Sequence, residues 1–146
     1  MTLSARILFL KIAAGALLIG PGLLMILAPV TPTLGLVERF LDLAHQPLDG
    51  AQAIAGDAAF LLNAILGGVL VGFGLMIWLA ADRVYRNDPA LGRSLILIPL
   101  LGWFISDSLG SVIAGAWFNT VLNTAILAIF IAPLAAPSRD AQAAQS

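Results

Sequence analysis

The sequence predicts an all-α fold, a four-helix transmembrane bundle with a short amphipathic interfacial helix between the first and second spans. Two observations carry this reading. Hydrophobic residues make up 60% of the 146-residue chain and charged residues only 10%, a balance far from that of a water-soluble globule. The apolar residues also fall in blocks. Charge is almost absent from Ile12–Ala28, Ala58–Ala81, Ser94–Ile105 and Leu109–Pro133, and a helix with one face in water does not tolerate such runs.

Four spans follow, at about Ile7–Ala28, Asp57–Ala81, Ser94–Ala114 and Ala116–Pro133. Their lengths of roughly 18 to 25 residues suit a hydrocarbon core about 30 Å thick. Backbone amides in lipid must pair within their own segment, and the Leu, Ala and Ile content favours helices over the alternating pattern of barrel strands. Residues 1–137 are expected to form one transmembrane domain, and 138–146 a disordered cytoplasmic tail. Arg6 and Lys11 ahead of an apolar run resemble a signal peptide. The run is too long for one, however, and cleavage after Ala28 would leave Pro29 directly behind the cut, so an uncleaved helix is expected.

After the first span, Pro29 and Pro32 end the helix. Over about 33–45 the chain becomes amphipathic: Leu34, Val37, Leu41, Ala44 and Leu48 recur at helical spacing with Leu36 and Phe40 beside them. Glu38, Arg39, Asp42, His45 and Gln46 fall on the other side. This predicts a helix in the membrane surface, or one capping the bundle ends. The stretch Ala81–Arg93, charged and carrying the turn signal Asn87-Asp88-Pro89, reads as a water-exposed loop. Gly115 and its neighbours leave room only for a tight antiparallel hairpin between the last two spans, with Trp117 as an interfacial aromatic.

A shift of 52 residues lays Gly15, Gly20, Gly22 and the closing Leu27-Ala28 over Gly67, Gly72, Gly74 and Leu79-Ala80. The pairs Ala16 with Gly20 and Gly68 with Gly72 have the small-xxx-small spacing that brings helix backbones close in lipid. Helix packing between the first two spans is therefore expected to use Gly15, Gly20, Gly22, Gly67, Gly68, Gly72 and Gly74. Pro21 is expected to kink the first helix and free a carbonyl.

Among intramembrane polar groups Asp107 stands out, because an aspartate near the helix centre costs about 2.5–3.5 kcal/mol to insert. Counting along each helix places Asp107, Asn123 and Asn63 at similar depth, roughly 9–11 Å below the outer surface. With Ser111 and Asn119 they form a candidate intramembrane polar cluster. Its two readings are an ion or proton site centred on Asp107 and a hydrogen-bond network that fixes helix packing; the second is favoured. Catalytic, cofactor and metal sites are not expected. The chain has no cysteine and one histidine, His45, which reads as a solvated group; Asp107 has no second carboxylate inside a span, and no Gly-x-Ser-x-Gly occurs. A net charge of −1 with scattered basic residues argues against nucleic acid as a partner. The expected partners are the lipid bilayer and either a second copy or a larger membrane complex.

The glycine-patterned first span ending in Ala28-Pro29, the run Gly67-Gly68…Gly72-x-Gly74 in the second span, and the chain's size resemble the small four-helix bacterial membrane proteins grouped as DoxX-like and neighbouring families of unknown function. Asn63 stands where those families often carry an arginine ahead of the second-span glycines. The resemblance implies a bacterial inner-membrane protein and no particular mechanism. The functional expectation is a non-enzymatic bundle that acts as an assembly or accessory subunit; the alternative is a small proton- or ion-coupled carrier using Asp107.

Arg6, Lys11, Arg83, Arg86, Arg93 and Arg139 fall on one side of the four-span arrangement and only Arg39 on the other, so the positive-inside rule puts both termini in the cytoplasm. Topology reporters at His45 and Gly115 are expected to read outside, and those at Asn87 and Ser146 inside. Any one of the four reporting from the other side overturns this orientation.

Overall fold

The structure is a computed structural model that describes residues 1–135; the tail expected over 138–146 lies outside the described residues. Four helices are long and apolar enough to cross a bilayer: α1 (Leu3–Val30), α3 (Asp57–Val84), α4 (Pro89–Ile113) and α5 (Trp117–Ala135). A shorter α2 (Leu34–His45) joins the first two. The chain is a small multi-pass membrane protein.

Two antiparallel pairs make up the bundle. In the first, α1 packs on α3 along most of its length; in the second, α4 and α5 form the hairpin, closed by Gly115 at φ +82°. The pairs join at the end of the bundle that holds the N-terminus. There Ile7, Leu10, Ile77, Ile96, Leu100 and Phe130 form one buried cluster. At the opposite end the spans of the two pairs make no extended contact, and α2 bridges them by packing on both α1 and α5.

α2 caps the bundle end. Val37 and Ala44 are buried against the bundle, while Leu36 and Phe40 are exposed. Its acidic side is not wet as expected: Asp42 is buried and accepts from the Gly50 N–H at 3.0 and 3.1 Å, and Glu38 accepts from the Ile54 N–H at 3.1 Å. These carboxylates hold the connection to α3. The expected loop over Ala81–Arg93 is a correction. α3 runs on to Val84 through a π-turn at Ala80–Val84, and α4 begins at Pro89, with the Asp88 side chain accepting from the Leu91 N–H at 2.9 Å. Charge marked where water begins but not where the helices end. An N-cap aspartate and a proline in the first helical position are strong starts.

Helix α1 tolerates Pro21 by inserting a π-turn, Gly15–Ile19, immediately before it, with the Gly20 N–H bonded to the Gly15 carbonyl. The extra residue per turn absorbs the register lost to a missing amide. At the far end of α1 side chains serve the open carbonyls: Thr31 donates to Leu27 at 2.8 Å and Thr33 to Leu24 at 3.3 Å.

The glycine contact is narrower than the sequence pattern indicates. A Cβ on Gly22 would lie 2.6 Å from the Gly67 carbonyl oxygen, and one on Gly67 the same distance from that of Gly22. Gly74 admits Ile19 just as closely, and Gly15 faces Trp78 at ordinary contact distance. Gly20 lies over its own π-turn, with only the Gly15 carbonyl nearby. Gly68 and Gly72 are corrected: both are exposed, with nothing within 4 Å of an added Cβ. The repeat copies run antiparallel, so the last glycine of one meets the first of the other. Positions one residue beyond Gly67 are turned about 100° away from the contact.

Gly67→Ala is expected to destabilise the protein by roughly 1–3 kcal/mol, because backbone faces backbone and nothing flexible can yield. Gly68→Ala and Gly72→Ala should be neutral or slightly stabilising. Reversible unfolding in mixed detergent micelles measures the difference, and equal effects at Gly67 and Gly68 would contradict this packing.

Candidate functional site

The tight turn at Gly115 sets the register of the α4–α5 hairpin. Asp107 and Asn123 lie eight residues either side of it, and Ser111 and Asn119 four. On antiparallel helices equal counts mean equal height, so these side chains face one another in two layers. The Asn123 amide donates to Asp107 Oδ2 at 2.6 Å and to Ser108 Oγ at 3.3 Å. One layer nearer the turn, the Asn119 amide donates to the same Asp107 Oδ2 at 3.2 Å and to Ser111 Oγ at 2.8 Å. Thr120 adds a longer bond to the Ser108 carbonyl, at 3.4 Å.

Asn123 is 2% exposed and Ser108 8%, whereas Asp107 is half-buried. Interhelical hydrogen bonds in membranes contribute about 0.6–1.7 kcal/mol each. Two of them offset a large part of the roughly 2.5–3.5 kcal/mol that an aspartate costs near a helix centre. The hairpin therefore supplies the hydrogen-bond partners of Asp107 from its own two arms. Asp107 Oδ1 accepts no hydrogen bond among the described residues, so one oxygen stays open on the accessible side of the cluster.

Asn63 does not belong to this group. Its amide donates to the Met25 carbonyl at 2.8 Å, on the face of α3 that carries Gly67 and Gly74 toward α1. Pro29 has no N–H to offer the carbonyl four residues back; that carbonyl accepts from the Ala28 N–H instead, and Asn63 adds a second donor from α3. Asn63 turns toward α1 and not toward Asp107.

A second polar group, absent from the sequence-based expectations, forms where the two pairs join. Lys11 Nζ lies 3.1 Å from Asp82 Oδ1 and 5.0 Å from the centre of the Trp78 ring. Arg86 contacts the same oxygen at 3.0 Å, and Arg83 is 3.7 Å from Oδ2. Lys11 sits inside the first apolar block, so its long stem must carry the charge toward the membrane boundary. The signal was available: a lysine a few residues into one span and an aspartate at the end of an antiparallel neighbour lie at one depth. His45 Nδ1 is 2.9 Å from the Leu41 carbonyl, folded back on its own helix. Among the described residues no three His, Asp or Glu side chains gather closely enough to share a metal ion.

Compared with known proteins, the chain matches no family model, no curated protein and no solved structure.

Asn123→Ala is expected to cost about 1–2 kcal/mol, near the upper limit for interhelical hydrogen bonds in membranes, and to couple with Asp107→Asn in a double-mutant cycle. Asn63→Ala should add independently to either change. Coupling between Asn63 and Asp107 above about 0.5 kcal/mol would show that the two sites are one.

Proposed function

We propose that this protein is a non-enzymatic helical bundle of the bacterial inner membrane, with both termini cytoplasmic, that acts as an assembly or accessory subunit of a larger membrane complex. Kinship with DoxX-like proteins is part of the same proposal and rests on the glycine-patterned spans. The observation that carries the reading is the self-contained Asp107 cluster. An acidic group placed for transport chemistry needs a partner that changes with the cycle, whereas both amides on Asp107 Oδ2 come from the rigid other arm of its own hairpin. Support also comes from α3, whose exposed side combines Gly68 and Gly72 with Leu61, Ile65 and Val69. That surface is smooth enough for another helix to approach closely.

One observation favours the alternative, a small proton- or ion-coupled carrier. Asp107 is half-buried and its Oδ1 is open, so a proton or cation has an oxygen to occupy.

Asp107→Asn separates the two. As an assembly protein, the reconstituted chain shows no proton or cation flux at any pH in either form, and both forms copurify in mild detergent with the same partner. As a carrier, the native chain shows pH-dependent flux that the variant loses while remaining folded. Flux in the native chain that survives the substitution would remove Asp107 from both accounts.

A further inference from the structure

Beyond Leu100 the only buried residue of α4 is Ser108, which faces α5. Two polar groups on this outer half have unmet hydrogen-bonding capacity. Asp107 Oδ1 accepts nothing among the described residues, and neither does the adjacent Ser106 hydroxyl make any hydrogen bond among them. Ser94 and Thr124 close their hydroxyls on the carbonyl four residues back. Ser106 does not, and its side chain is exposed. Counting back from Ile113 places both groups about 9–11 Å inside the outer end of α4, where lipid has no hydrogen bond to give.

Successive residues of an α-helix are about 100° apart, so Ser106 and Asp107 flank a strip of surface that carries Gly110. Gly110 is four residues beyond Ser106 and three beyond Asp107; it is exposed, with nothing within 4 Å of an added Cβ. Gly102, one turn before Ser106, is equally open. Trp103, at the other end of the strip, is half-buried. Another helix therefore comes closest at Gly110 and diverges toward Trp103. The glycines only permit that approach. The two unmet polar groups specify what must arrive: a donor for Asp107 Oδ1 and a partner for the Ser106 hydroxyl, both at one height.

A second copy of this chain brings both. Two copies in one membrane share an orientation, and a two-fold axis along the bilayer normal sets like residues at like height. Ser106 and Asp107 lie on opposite flanks of the strip, so the axis places Ser106 of each copy against Asp107 of the other. The two carboxylates fall on opposite sides of the contact and do not meet. A serine hydroxyl both donates and accepts, so the pairing holds whether or not Asp107 carries a proton. Asn119 and Asn123 already hold Oδ2, which fixes the aspartate before the copies meet.

We propose that the protein forms a parallel two-fold dimer through α4, closed over Gly110 by reciprocal Ser106–Asp107 hydrogen bonds. This goes beyond the assembly role, which draws on the α3 surface and stands or falls separately.

The test is native mass spectrometry of the full chain in mild detergent over a concentration series, in which a dimer is expected. Ser106→Ala should raise its dissociation constant about tenfold, as the loss of two interhelical hydrogen bonds implies. Gly110→Leu should abolish the dimer. A side chain at Gly110 meets nothing in its own chain, so native helix content is expected in both variants. Gly68→Leu, on the α3 surface, should leave the dimer intact. A monomer at every concentration, or a dimer indifferent to Ser106→Ala or to Gly110→Leu, overturns the proposal. An intact dimer with no copurifying partner sustains it and removes the assembly role.

Crosslinking in lipid vesicles gives a second readout with Ser106 and Gly110 unchanged. The chain has no cysteine, so a single Ala114→Cys, four residues beyond Gly110, should form an intermolecular disulfide on oxidation with copper phenanthroline. Val112→Cys, turned about 200° away, should not. Equal or reversed yields overturn the α4 interface.

Discussion

The need to pair every backbone group in lipid shapes the first helix pair, where Asn63 of α3 donates to the Met25 carbonyl of α1. A bilayer core offers no water to a carbonyl that a proline has left open, and α1 carries Pro21 and Pro29 within its length. The chain meets the first with a π-turn in its own backbone and the second with the Ala28 N–H, to which the neighbouring helix adds the Asn63 amide. Because the Asn63 amide comes from α3, this shared acceptor ties α1 and α3 at one height. Gly22 and Gly67 then meet carbonyl to backbone, a closeness that any side chain would prevent.

The second pair is built on a different principle. No glycine brings α4 and α5 together; a two-layer ladder centred on Asp107 does, with its register given by the turn at Gly115. One pair is held by shape and the other by polar contacts. They fuse through an apolar core at the N-terminal end and through α2 at the other.

What the sequence made legible follows from what lipid makes compulsory. Each span announced itself because hydrocarbon excludes charge residue by residue, and the Asp107–Asn123 and Ser111–Asn119 layers follow from counting outward from a glycine turn. Position around a helix is different. Asn63 faces α1 and not Asp107, and Gly68 shares the composition of Gly67 but faces away, because hydropathy does not record azimuth. Gly67 is distinguished by its antiparallel partner, which spacing within one segment does not identify. The early start of α4 is masked in the sequence because the charges around Asp88 and Pro89 also mark water, whereas Asp88 caps the helix and Pro89 initiates it.

The ion pair between Lys11 and Asp82 spans 71 positions in the chain, and the chain is made from one end. Lys11 therefore enters the bilayer during synthesis with no carboxylate to meet it, and it stays so until the whole of α3 has emerged. During that interval α1 is an imperfect transmembrane helix, shallow at its start, with its lysine stretched toward the surface. Arrival of α3 brings the Asp82 carboxylate and the Trp78 ring to Lys11. The pair thus records the order of assembly: the first helix is finished by the second.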